Sequence, residues 1–204
     1  MTVPGTFDTS ARELIHAGLQ NLDEARSLFR QLSASGFDAA RCGLLLDALQ
    51  HVCDPDVALR NLVDIVNAQV SQGRALDDIM PDDTAFRQLV AVLGVSDAMG
   101  KLMRFRPDLV QAAATDHCNS HLYNHDQRRA HVLESVGADP NDRMSPTATM
   151  DLANAATALR RTYRNQLAAI IAQDTMSDDP IALQPRISSE LSDLADAALE
   201  GALA

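Results

Sequence analysis

Apolar residues recur along this chain at the three- and four-residue spacing of one helix face. No stretch alternates apolar and polar over six positions, as a half-buried strand would. The first helix starts at Ser10, with Leu14, Ile15 and Leu19 on one face. A second begins near Leu22 and buries Leu22, Ala25, Leu28, Phe29 and Leu32. It stops at Ser35-Gly36, where glycine can take the left-handed cap conformation. A third covers 38–52 with Leu44, Leu45, Leu46, Leu49 and Val52. The fourth has the clearest start: Asp54 caps, Pro55 fits the first helical position, and Asp56 suits the positive end of the dipole. Leu59, Leu62, Val63, Val66 and Val70 then form its stripe, and Gly73 ends it.

A loop follows through Asp77, Asp78 and Pro81, after which Asp82 or Asp83 caps a helix carrying Phe86, Leu89, Val90 and Leu93. Gly94 is expected to break that helix, and Ser96-Asp97 to start a short one through Met99, Leu102, Met103 and Phe105. Pro107 opens one further turn over 108–114. Residues 115–146 read as an irregular polar connection with one helix around 127–136, punctuated by Gly137, Pro140 and Pro146. The longest helix is expected over 147–174, with Leu152, Ala155, Ala156, Leu159, Tyr163, Leu167, Ile170 and Ile171 at helical spacing. A last helix over 184–204 places Ile187, Leu191, Leu194, Ala198 and Leu199 on one side and has no stop signal, like a helix cut in mid-course. The expectation is an all-α, multi-helix array of roughly eight to ten helices. It divides into a flexible tail at 1–9, a helical subdomain at 10–114, the connection at 115–146, and the long helices of 147–204.

Composition agrees with helices. Hydrophobic residues are 46% of the 204, aromatics only 3%, and Trp is absent. Ala and Leu dominate, and both lose little side-chain freedom in a helix. The net charge of −11 argues against binding nucleic-acid backbone or anionic membrane, which needs a basic face. No apolar run approaches the roughly 18 residues of a spanning helix, and the N-terminus lacks the basic start and apolar stretch of a signal peptide. The three cysteines, Cys42, Cys53 and Cys118, are odd in number and widely spread. Reduced thiols in a cytoplasmic protein are the expectation, with Cys42 and Cys53 as small core residues.

Candidate chemistry is sparse. His117, Cys118, His121 and His125, with His131 nearby, form a local cluster. On a helix His117, His121 and His125 would share one face, and two histidines at i, i+4 can chelate zinc. Against that stand Tyr123-Asn124, which favour a break, and the lack of a Glu directly after the first His. A histidine-rich polar loop is the plainer reading. Arg160, Arg161 and Arg164 form a basic cluster in an acidic protein, a possible contact for a partner or domain. The plainer alternative is a solvated helix face, although Arg160 and Arg164 repel as i, i+4 neighbours. The acid pairs Asp77-Asp78, Asp82-Asp83 and Asp178-Asp179 lie at loops or helix starts, where capping explains them. Asp193 and Asp196 read as a soluble face. A calcium loop, a Gly-rich phosphate loop, a nucleophile elbow and a CxxC pair are absent from the sequence.

Two blocks carry a resemblance. The first is Leu89-Val90-Ala91-Val92-Leu93-Gly94-Val95-Ser96-Asp97-Ala98-Met99-Gly100, followed by Arg106-Pro107-Asp108-Leu109. The second is Leu159-Arg160-Arg161-Thr162-Tyr163-Arg164, continuing to Ala172-Gln173-Asp174 and then Glu190-Leu191-Ser192-Asp193-Leu194-Ala195-Asp196-Ala197-Ala198-Leu199. Both resemble the N-terminal helical region of the bifunctional glutamine synthetase adenylyltransferase/adenylyl-removing enzymes, in order and spacing, over 40–204. Arg106-Pro107 stands where the family has histidine-proline, Thr162-Tyr163 replaces a phenylalanine, and 115–146 has no counterpart. The resemblance implies a parent with two nucleotidyltransferase-type domains, one removing AMP from a tyrosine of glutamine synthetase by phosphorolysis and one adding it from ATP. It implies magnesium or manganese on paired aspartates, and control by PII-type signal proteins and glutamine. The first such domain would begin after the last helix, so this chain is expected to hold no cofactor and no catalytic residue. Arg160, Arg161 and Arg164 are then expected to pack against or line that missing domain. Two other expectations compete: a stand-alone helical adaptor or regulatory protein, and a metal protein centred on His117, His121 and His125.

Overall fold

Side-chain caps set most of the helix starts. The computed structural model describes residues 9–78, 80–114, 124–177 and 179–204. Among these residues the secondary structure is ten α-helices and one 3-10 turn, Leu76–Asp78, with no strand. Asp38, Asp54, Asp82, Asp151 and Asp179 each accept a backbone N–H from the first turn of the helix they precede. Ser10 and Asn124 go further and form reciprocal capping boxes with Glu13 and Gln127. The chain divides into two compact units, 1–115 and 116–204.

The first unit holds α1 (Ala11–His16), α2 (Leu22–Ala34), α3 (Ala39–Leu49), α4 (Pro55–Ser71), α5 (Asp83–Val95), α6 (Asp97–Met103) and α7 (Pro107–Ala114). Helix α5 is its centre and packs on α3, α4, α6 and α7. Phe86, Leu89, Val90, Val92 and Leu93 of α5 are buried, as are Leu59, Leu62, Ile65 and Val66 of α4. Phe37 and Phe86 meet with ring centroids 6.3 Å apart.

Several expectations are corrected here. Ile15 is 62% exposed, and Leu19 reaches the core from the turn after α1, not from its face. Val70 and Phe105 also point outward. Gly94 does not break α5, which runs through it to Val95. A Cβ there would stand 2.9 Å from Val52 Cβ, so the residue is needed for close approach. Helix α5 ends instead at Ser96, which donates its N–H to Val92 and accepts from Met99 N, so that it closes α5 and opens α6.

The second unit is three helices, α8 (His125–Ser135), α9 (Leu152–Thr175) and α10 (Pro180–Leu203), each packed on the other two. The one helix expected within 115–146, around 127–136, is α8, and Val136 and Ala138 beyond it join Leu133 in a core completed by Ala155 and Leu159. Helix α9 starts five residues later than expected, because Asp151 and not Thr147 supplies the cap. Helix α10 starts four residues earlier, because Asp179-Pro180 forms a stronger start than the residues around Pro185, which the helix accommodates in its second turn. Its inner face is Ile187, Glu190, Leu194, Ala197 and Gly201, while Leu191 and Leu199 are exposed. At Gly201 a Cβ would lie 2.8 Å from Val132 Cγ1, so the three helices converge there.

Candidate functional site

The histidine cluster cannot be assembled: His117, Cys118 and His121 lie outside the described residues. His125 is the first residue of α8, and its Nδ1 lies 3.0 Å from Asp193 Oδ1 on α10. Among the described residues no group of three or more His, Cys, Asp or Glu side chains could hold a metal ion. Of the acid pairs, Asp82 and Asp179 are N-caps as expected, and Asp77 pairs with Arg41 at 2.5 Å. The Asp-x-Asp triplet Asp54-Pro55-Asp56 is also occupied by backbone. Asp54 accepts from Val57 N at 3.0 Å, and Asp56 from Gln20 N and Asn21 N at 3.0 and 3.3 Å.

The seam between α8 and α10 was not foreseen. Arg128 is 1% exposed and pairs with Glu190, which is 8% exposed, and it donates to Gln166 Oε1 of α9 at 2.7 Å. The next residue, Arg129, grips Glu200 with two bonds of 2.7 and 2.5 Å, and donates to the carbonyls of Pro140 and Asp142 at 2.6 and 3.1 Å. The Glu200 carboxylate holds the Arg129 guanidinium above its ordinary value. Asp193, read from sequence as a soluble face, is the partner of His125, while Asp196 is exposed and lines a cleft of about 410 Å³ with His125, Arg143 and Glu200. The sequence did hold one signal: Glu190 falls on the 187–194–197–201 stripe of α10, and a charged residue on an inner stripe demands a counter-charge.

Helix α9 contrasts with this seam. Residues 152–173 contain three arginines and no Asp or Glu, in a chain with 28 acids. The other arginines of the unit, Arg128, Arg129, Arg143 and Arg186, all form ion pairs. Arg160, Arg161 and Arg164 form none among the described residues. Arg160 and Arg161 are exposed and Arg164 half-buried. Arg161 lines a cleft of about 470 Å³ with Thr149, Asp151, Asn154 and Thr157 at the start of the helix. Leu152 and Tyr163, expected to be core, are instead exposed on this helix. Thr162, Gln166, Ala168, Ile170 and Ala172 are buried in their place.

Fold and surface define a class first: a helical region whose charged groups serve capping and helix pairing, with one helix whose three arginines form no ion pair among the described residues. By sequence the chain is homologous, over nearly its whole length, to one part of the bifunctional glutamine synthetase adenylyltransferase/adenylyl-removing enzymes. The protein of that name from Bifidobacterium longum (strain DJO10A) is 64% identical over 97% of this chain. Those from Leifsonia xyli subsp. xyli and Corynebacterium efficiens are 30% and 34% identical over 94% and 78% of it. The chain spans 18% of the length of each of these relatives. No family profile and no solved structure matches the chain.

Proposed function

We propose that this chain is the N-terminal helical region of an enzyme that adenylylates and deadenylylates glutamine synthetase, and that it acts as a non-catalytic scaffold for the adenylyl-removing half. The 64% identity over 97% of the chain carries this reading. The fate of the carboxylates supports the non-catalytic part. The Asp-x-Asp triplet is bonded to backbone amides, and the carboxylates of the α8–α10 seam face basic side chains. Metal-assisted phosphoryl chemistry needs carboxylates free to face a metal and a nucleotide. Magnesium or manganese and ATP then belong to nucleotidyltransferase domains outside these residues. Glutamine synthetase and a PII-type signal protein are partners of the whole enzyme, in the cytoplasm. No described helix is long and apolar enough to cross a membrane.

The test is calorimetry of the 204-residue chain with ATP and ADP in the presence of magnesium, beside an assay of AMP release from adenylylated glutamine synthetase. Neither binding nor release is expected. Tight nucleotide binding would remove the scaffold reading.

A further inference from the structure

The outward face of α9 is built unlike the rest of its unit. Arg160 and Arg164 stand one turn apart, about 6 Å along the axis, and Arg161 lies about 100° round the helix from Arg160. As i, i+4 neighbours Arg160 and Arg164 repel, and no carboxylate offsets them among the described residues. Tyr163 is 36% exposed beside them and Leu152 86% exposed two to three turns earlier. Arginine and tyrosine are the side chains that most often carry binding energy at protein interfaces. The three guanidinium groups are spread over about 100° of the helix circumference and one turn of its length, with Tyr163 and Leu152 to one side, which suits an extended acidic protein surface better than one phosphate. The chain's net charge of −11 disfavours nucleic acid.

We propose that this face of α9 docks an acidic segment of the same polypeptide, lying beyond residue 204, through reversible and salt-sensitive contacts. The proposal rests on the reading above that the chain is a region of a longer enzyme. Relatives are more than five times its length, since it spans 18% of them. A tethered segment meets α9 at an effective concentration in the millimolar range, so modest charge attraction suffices to hold it. Exposed arginines with few fully apolar neighbours resemble a transient interface and not an obligate one. Salt weakens such contacts as the screening length shortens.

Arginine-selective labelling with phenylglyoxal, read by mass spectrometry on the full-length protein, tests it. At about 0.05 M salt the exposed Arg160 and Arg161 should label about tenfold more slowly than the exposed Arg30, as for a segment docked about nine-tenths of the time. At about 0.5 M salt the difference should vanish. Labelling as fast as Arg30 at both salts overturns the proposal. So does equal protection at both salts, which marks a permanent interface. Protection that grows with protein concentration overturns it too, by assigning the face to a second copy. A gene that stops after codon 204 removes the preceding reading, whereas fast labelling in a longer chain removes this one alone.

Discussion

Two glycines inside helices show how local context decides a substitution. Gly43 lies exposed in α3, and a Cβ there meets nothing within 4 Å. Gly43→Ala should therefore stabilise the protein by about 0.5–1 kcal/mol, because alanine loses less backbone freedom on folding. Gly94 in α5 has Val52 Cβ at 2.9 Å from its would-be Cβ and the Asp54 carbonyl at 3.4 Å, so Gly94→Ala should destabilise by about 1–3 kcal/mol through overpacking. Urea unfolding of both variants against the parent measures the contrast; similar shifts would refute it. A second residue-scale prediction concerns the buried pair. Glu190→Leu leaves Arg128 charged and enclosed, and should cost about 3–5 kcal/mol. Arg128→Met with Glu190→Leu should recover most of that loss, because Arg128 Nε and Gln166 Nε2 already lack a protein partner. A double variant as unstable as the single one would show that the pair is worth more than its apolar replacement.

At the scale of the element, what the sequence revealed depended on how the signal is written. The starts at Asp54-Pro55 and Ser96-Asp97 were legible, because the cap is a local interaction between residues three apart. The start of α10 was misplaced by four residues, although Asp179-Pro180 carries the same cap and proline as the start of α4. Inner faces were harder. Leu191 and Leu199 share a helical spacing with Ile187 and Leu194, yet the contact side of α10 is set by Arg128, Arg129 and Val132 across the seam, which no local pattern encodes. The candidate site was legible only as a cluster of three arginines. That they alone among the unit's arginines form no ion pair with the described residues is a property of the assembled helices. The grip of Arg129 gives a prediction here. Arg129→Lys keeps one charge but cannot hold Glu200 by two bonds and still reach Pro140 and Asp142, so hydrogen exchange over 137–150 should speed up while α2 to α5 stay unchanged. Unchanged exchange in that loop would mean the loop is held by other contacts, such as the bond from Thr149 Oγ1 to the Gly137 carbonyl.

For the whole molecule, acid is the relevant stress. The carboxyls of Glu13, Asp47, Asp97, Asp142 and Asp151 are all held below their ordinary range: Glu13 by Ser10, Asp47 by Arg87, Asp97 by Lys101, Asp142 by the amides of Ser145 and Met144, and Asp151 by Asn154. A carboxyl depressed by folding contributes stability that is full above its unfolded value and is lost as pH falls through its folded one. Stability should thus be flat from neutral pH to about 5, then fall below about 4 as these groups protonate. Thermal unfolding at a series of pH values checks the sign; a protein more stable at pH 3 than at pH 6 would contradict it.

The double duty of Ser96 leaves α5 and α6 no spare residue between them. A joint without slack transmits torsion. Inserting one residue after Ser96 would turn α6 by about 100° about its axis and carry Met99 and Met103 off the core. Insertions should therefore be poorly tolerated at this point while one directly after Gly73, where an added Cβ would meet nothing within 4 Å, is absorbed, so that the length of the chain is fixed at one joint and negotiable at another.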